Sequence, residues 1–341
     1  MKGVFGKAYD NDWGSAGTPK ASCSRMEVPS ATVLRNHSEV ILTSDRFIQS
    51  GPVRLAAQDY GGTGPFLLLL HGVGQSCADW MPIASRLCAS SRVVAMDLRG
   101  HGLSESGEWN IDVVLADIHA VLQNYRVTAP NIVGHSLGGV LAFLYSKRFG
   151  GVRSVIDLDG FALRKSEYVG ITATEAEALQ KRTRAGWDRP RPRVSKAVML
   201  ERANRLVNKY GLSQAASASM VRRSLAPVDD EYFEPRVEPD TLAAIRSFYE
   251  SFLDQGDFFD AVRSCNTQSL IFRATRLDIR SLPEWHRTLL EAYVRGVEIQ
   301  TDALNNQSNI KVVRRESSHM MMLEEPAEIA FEIERYLSEG C

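Results

Sequence analysis

Apolar residues recur along this chain in two rhythms. Residues 66–70 read Phe-Leu-Leu-Leu-Leu, an unbroken run of strand length bounded by the turn cluster Gly-Gly-Thr-Gly-Pro at 61–65. Such a run suits a strand buried on both faces of a parallel sheet. The same reasoning predicts buried strands over 93–96, 131–133, 152–158, 269–272 and 310–313. Two short strands over 40–43 and 53–57 are joined by a Gly-Pro turn. Between the strands the period lengthens. Helices are predicted over 78–89, 111–125, 140–149 and 326–337; in the second, Val114, Ile118 and Leu122 recur every fourth residue. Gly150-Gly151 stops the third. Strands alternating with helices predict a right-handed, mostly parallel α/β sheet.

From 161 to 262 the alternation ceases. Helical patterns run over 195–210 and 241–259, and Pro-rich stretches at 189–192 and 234–239 divide the segment, which predicts an all-helical insertion. Residues 1–37 mix Gly, Ser, Asn and Asp without periodicity and read as a flexible or peripheral leader. The expected organisation is therefore a leader over 1–37, a core over 38–160 and 265–341, and a helical insertion over 161–264. No repeat is evident.

Composition narrows the classes. Of 341 residues, 44% are hydrophobic and 24% charged, which excludes a collagen-like, mucin-like or wholly disordered chain. Forty Lys+Arg against 41 Asp+Glu leave a net charge of −1, without the basic field that duplex nucleic acid demands. No run approaches the ~20 apolar residues needed to span a bilayer, and the N-terminus lacks the apolar stretch of a secretory signal. Cys23, Cys77, Cys88, Cys265 and Cys341 show no CxxC spacing. They read as free thiols of a cytoplasmic protein, without a zinc site, and the final four residues are no prenylation box. Neither a cofactor nor a metal is expected, and the oligomeric state is not legible.

The chemistry centres on Gly134-His135-Ser136-Leu137-Gly138, between a predicted strand and a predicted helix. A serine at such a strained turn has its hydroxyl pushed out above the sheet, beside main-chain N–H groups of the helix start. Glycines two positions either side relieve the crowding. A helix N-cap is the plainer alternative for Ser136. His71-Gly72-Val73-Gly74 follows the strand at 66–70. An N–H from this loop, with Val73 the expected donor, can converge with that of Leu137 to form an oxyanion hole. The plainer alternative is a strand-to-helix turn in which His71 is a structural hydrogen-bonder.

These motifs, with Asp97 to Glu105 (DLRGHGLSE) and a histidine near the C-terminus, resemble the α/β-hydrolase superfamily over about 40–160 and 265–338. The resemblance implies an eight-stranded, mostly parallel twisted sheet flanked by helices. The insertion would be that family's helical cap. It implies the chain order serine, acid, histidine. His319 stands where the general base is expected, and Asp278 at the usual acid position; Asp159 is the competing acid and Asp302 a third. Arg273 and Arg276 stand where glycine is common, and read as salt-bridge formers or, alternatively, as contacts to a carboxylate-bearing substrate. His71, Gly72, Trp80, His135 and Met320 are expected at the substrate. The insertion's arginines, Arg222 and Arg223 among them, read as a solvated face unless one points inward. Its aromatics read as its own core rather than a ligand cage.

The implied activity is a serine hydrolase cleaving a carboxylic ester or thioester of a small to medium acyl substrate. The same residues could cleave a C–C bond or transfer an acyl group, or the fold could bind a ligand without turnover. Ser at 136 disfavours the branches that use an aspartate nucleophile.

Overall fold

The computed structural model describes residues 31–36, 39–184, 192–277 and 279–339. The strands of the main sheet are β1 (Ala31–Asn36), β2 (Glu39–Ser50), β3 (Val53–Gly61), β4 (Phe66–Leu70), β5 (Arg92–Met96), β6 (Asn131–His135) and β7 (Ser154–Leu158), followed after the insertion by two more. The insertion carries β8 (Val194–Ser195), β9 (Leu225–Pro227) and β10 (Tyr232–Pro235); β11 (Gln268–Ala274) and β12 (Ile310–Arg315) then return to the main sheet. Its spatial order among the described residues is β1-β2-β3-β5-β4-β6-β7-β11-β12. The pairs β1–β2, β2–β3 and β3–β5 are antiparallel, and from β5 to β12 every pair is parallel. The eight expected strands are present with a ninth, β1. It arises inside the expected leader, whose residues 1–30 and 37 lie outside the described ones.

The apolar run at 66–70 behaves as its pattern requires. Leu68 and Leu70 enter one buried cluster and Leu67 and Leu69 the other, on opposite faces of the sheet. Val94 and Met96 against Val93 and Ala95 divide the same way in β5. Period-two geometry sends successive side chains to opposite faces, so a strand covered by helices on both sides must be apolar at every position. Burying each such leucine contributes about 2 kcal/mol.

Helices lie where the longer period placed them, with local changes. The helix expected over 78–89 is a 3-10 turn, Cys77–Trp80, running into Met81–Leu87, whose second residue is Pro82. Proline lacks the N–H that a helix interior needs, so it sits in the first turn. Ile111–Asn124 is capped by Asn110, whose side chain accepts from the Val113 N–H at 3.0 Å.

The insertion is not all helix. β10 pairs antiparallel with both β8 and β9. These strands run to two, three and four residues, too short to leave a period in the sequence. The helix expected over 241–259 is two, Pro239–Gln255 and Phe258–Arg263, with Asp257 accepting from the Asp260 N–H at 2.9 Å to start the second. Tyr249, Phe258 and Phe259 join the main sheet's core cluster on one face rather than forming a core of the insertion's own. No described helix is long and apolar enough to cross a membrane.

Arg223 departs from the solvated-face expectation. It belongs to the insertion's helix Gln214–Ser224, is 1% exposed, and pairs with Asp97 after β5 and Asp45 of β2. Asp97 also accepts the N–H groups of Cys77 at 2.7 Å and Leu103 at 2.8 Å. One guanidinium thus fastens the insertion to strand β2 and to the loop after β5. Removing one partner of a buried ion pair strands the other charge. Arg223→Met is expected to lower unfolding stability by about 3 kcal/mol or more, read as the urea midpoint; an unchanged midpoint would show the clamp to be energetically idle.

Candidate active site

Parallel pairing brings the carboxyl ends of the strands to one edge. Leu70 lies opposite both Met96 and Gly134, His135 opposite Leu158, Leu158 opposite Phe272, and Ala274 opposite Arg315. The loops beyond are tied by main-chain bonds: Ser136 N–H to Leu158 O at 3.1 Å, Asp159 N–H to Phe272 O at 3.0 Å, and Thr275 N–H to Arg315 O at 2.9 Å. Open α/β sheets carry their ligand sites at this edge.

Ser136 occupies the bend between β6 and the helix Leu137–Phe149, with φ 56° and ψ −118°. A non-glycine residue held there stores about 1–3 kcal/mol of strain. The flanking glycines are explained by contact. A Cβ on Gly134 would strike the backbone of Gly138, and one on Gly138 would strike the carbonyl of Leu70. The Ser136 side chain makes no cap hydrogen bond, which removes the N-cap alternative. Its Oγ is buried and has no hydrogen-bond partner among the described residues.

His319, between β12 and the closing helices, comes to the same edge. Its Nδ1–H donates to Asp159 Oδ2 at 2.8 Å. Asp159, weighed in the sequence as the competitor, is therefore the carboxylate that meets this histidine; Asp278 lies outside the described residues. Asp302 pairs with Arg314 at the surface. Asp159 also has a left-handed φ of 57°, and its Oδ1 accepts from the Ala274 N–H at 2.9 Å and from Arg273 Nη1 at 3.2 Å. Burial pushes the Asp159 carboxyl up, but the His319 hydrogen bond, the Arg273 charge and the Ala274 N–H together hold it below the usual carboxylate value. Asp159 is an anion here.

His135 links the bend to the histidine loop. Its Nε2 lies 2.7 Å from the His319 carbonyl, its Nδ1 lies 2.7 Å from Gln75 Oε1, and its ring centroid is 4.6 Å from that of His319. Gln75 Oε1 also accepts from the Gly72 N–H at 2.7 Å. Burial, then the neighbouring His319, pushes His135 well below the ordinary histidine value. His71 takes the structural alternative. Its Nε2 accepts from the Leu98 N–H at 2.9 Å, which leaves Nδ1–H to donate to Gly72 O at 2.8 Å, so the main chain occupies both nitrogens. Gln75, which knits Gly72 to His135, was not read from the sequence; an isolated glutamine in a loop carries no periodic or motif signal.

The expected donors Val73 and Leu137 have amide N–H groups that no described residue takes up. Gly72 packs against the bend, where an added Cβ would stand 3.0 Å from the Ser136 Cβ. Trp80 and Met320 are buried in the same apolar cluster, and Gln75 Nε2 donates to Met320 Sδ at 3.4 Å. Among the described residues no group of three or more His, Cys, Asp or Glu could hold a metal ion.

A second carboxyl, Asp157, sits in β7 behind the bend. Both its oxygens lie near the Gly160 N–H, at 3.0 and 3.2 Å. Burial, reinforced by the Asp159 charge, pushes Asp157 well above the usual carboxylate value. A raised acid means that the folded state holds its proton more tightly, so stability falls as pH rises through the ordinary carboxylate range toward the folded value. Asp157→Asn keeps an acceptor for Gly160 but cannot ionise. The variant is expected to gain stability relative to the parent as pH rises above about 4. Urea midpoints whose difference stays constant over that rise would refute the assignment.

The model of the alpha/beta hydrolase family matches residues 67–332. The chain is 30% identical over 153 residues to 2-(acetamidomethylene)succinate hydrolase of Mesorhizobium japonicum, covering 42% of this chain and 52% of that protein. It is 41% identical over 90 residues to a probable protein phosphatase methylesterase 1 of Caenorhabditis elegans, covering 24% and 25%. An uncharacterized protein of Mycobacterium tuberculosis is 38% identical over 93 residues, 26% of each chain. The chain thus spans about a quarter to a half of the length of these curated relatives. Among solved structures, E-2-(acetamidomethylene)succinate hydrolase superposes with TM-score 0.63 at 20% identity over 87% of this chain and 99% of that one. The thioesterase domain from the curacin biosynthetic pathway gives 0.61 at 19% identity over 85% and 98%. Those identities speak to fold alone, whereas the family match spans most of the chain, strand edge and bend included. The chain belongs to the alpha/beta hydrolase family.

Proposed function

We propose that this protein is a serine hydrolase that cleaves a carboxylic ester or thioester of a small to medium acyl substrate, through an acyl-enzyme on Ser136. The observation that carries the reading is the strained, buried Ser136 hydroxyl, left without a hydrogen-bond partner among the described residues at the edge where His319 meets Asp159. The similarity to a named hydrolase and a named methylesterase supports it.

The chemistry follows from the residue types. A serine hydroxyl is a weak nucleophile at neutral pH, so His319 Nε2 takes its proton as Oγ attacks the carbonyl carbon. Asp159 holds Nδ1–H and stabilises the imidazolium that forms, without itself taking the proton. The N–H groups of Val73 and Leu137 receive the oxyanion; one such donor is worth about 3 kcal/mol. His319 then returns the proton to the leaving alcohol or thiol. A water, deprotonated by His319, releases the acid and restores Ser136. Residues 161–264 act as the cap over this edge, held by Arg223.

Ser136→Ala and His319→Ala are each expected to lower kcat/KM for p-nitrophenyl butyrate by about a thousandfold or more. Asp159→Asn, which cannot hold the required tautomer, should lower it by about a hundredfold or more. A fluorophosphonate probe should label the parent and not Ser136→Ala. Labelling that survives in Ser136→Ala, or a folded parent that neither labels nor turns over any ester, would sink the reading.

A further inference from the structure

We propose that Arg273 is a positioning residue for the Asp159–His319 pair: its buried guanidinium holds one carboxylate oxygen, partly offsets the charge, and so sets the pH at which the pair takes up a proton. The inference rests on the reading of His319 as the base and deepens it.

Arg273 is the penultimate residue of β11 and only 6% exposed. Nη1 stands 3.2 Å from Asp159 Oδ1 and donates also to the Ala274 carbonyl. The guanidinium carbon lies 5.7 Å from the centroid of the Phe161 ring. Its Nε is 3.7 Å from Glu298 Oε2 on the helix Glu284–Leu304. The arginine thus has one carboxylate on the site side and another on the solvent side. With Nη1 and the Ala274 N–H on Oδ1, Oδ2 is left for His319. This fixes the carboxylate rotamer.

The charge has a second consequence. A carboxylate bound to a cation stabilises an imidazolium less than a bare one does, because the cation repels the proton the ring would take. Removing the Arg273 charge is therefore expected to favour the protonated pair. The other groups facing the pair do not duplicate this. Asp157 is held toward its neutral form, and Tyr293, whose hydroxyl donates to Phe161 O at 2.8 Å, is pushed far above its ordinary value by burial, then by Tyr168. Buried His135 is held toward neutrality. Glu324 is engaged by Ser318 and Arg276, and Glu298 is shared with Arg314 at 2.7 Å.

The test reads the second-order rate of Ser136 phosphonylation by a fluorophosphonate probe across pH, which needs no knowledge of the natural substrate. Arg273→Met should move the acidic limb to higher pH by about one unit. Arg273→Lys keeps the charge and should leave the limb near that of the parent while slowing the plateau rate. Glu298→Gln removes the outer counter-charge and should move the limb the other way, to lower pH, by about a few tenths of a unit. Glu298 is 40% exposed, so this variant decides the matter should Arg273→Met fail to fold. Limbs of Arg273→Met and Glu298→Gln that coincide with the parent would overturn the proposal, as would a shift in Arg273→Lys equal to that in Arg273→Met. Persistent labelling of Ser136→Ala would instead condemn the hydrolase reading itself.

Discussion

The Asp159 carboxylate joins three stretches of chain that are far apart in sequence. It sits at the end of β7, takes the Ala274 N–H and the Arg273 guanidinium from β11, and receives the His319 N–H from the loop after β12. A buried carboxylate is tolerable only if its lone pairs are met by donors and its charge by a cation. Meeting those demands fixes where the ends of β7, β11 and β12 stand relative to one another. Loss of any one donor would leave the buried anion under-solvated.

That junction depends on the sheet. Parallel register sets the strand ends level, and Ser136 and Asp159 both begin their loops with a left-handed φ, a conformation few non-glycine residues accept. Each is held by a main-chain bond to the neighbouring strand, Ser136 to Leu158 and Asp159 to Phe272. The strain is local and the restraint comes from the two-faced apolar core behind it. Such strain can be stored where rigid, close-packed surroundings over-determine the backbone.

Charge burial is managed differently around the site. Asp97 and Arg223 pair inside the molecule and bind the insertion to the sheet. Arg99 and Asp117 form a second buried pair, with both nitrogens at 2.6 Å from carboxylate oxygens. Asp157 has no such cation among the described residues and is instead driven toward its neutral form, close behind the anionic Asp159. Two carboxyl groups with one residue between them are thus pushed in opposite directions, because one has a guanidinium and an imidazole and the other, among the described residues, a single peptide N–H.

Much of this was legible in the residues. The apolar runs disclosed buried parallel strands because helices on both faces demand it, and the Gly-His-Ser-Leu-Gly spacing disclosed the bend because only glycine fits where Gly134 meets Gly138. His319 could be picked out because it follows the last strand, where the resemblance implies the general base. Other features depend on distance in space rather than along the chain. Asp159 and Asp278 each follow a strand, and nothing local says which carboxylate reaches the imidazole; strand order and register put Asp159 beside it. Arg223 looks like any helix-surface arginine until the packing of the insertion turns it onto Asp97 and Asp45. The small strands β8, β9 and β10 are too short to show a period. Sequence by itself determined most of the main-sheet elements and the bend at Ser136, since those follow from local sterics and periodicity, while His319 came from the family resemblance. Which charges meet was decided only by the tertiary structure, because pairing energy depends on separations and burial that the folded sheet alone establishes.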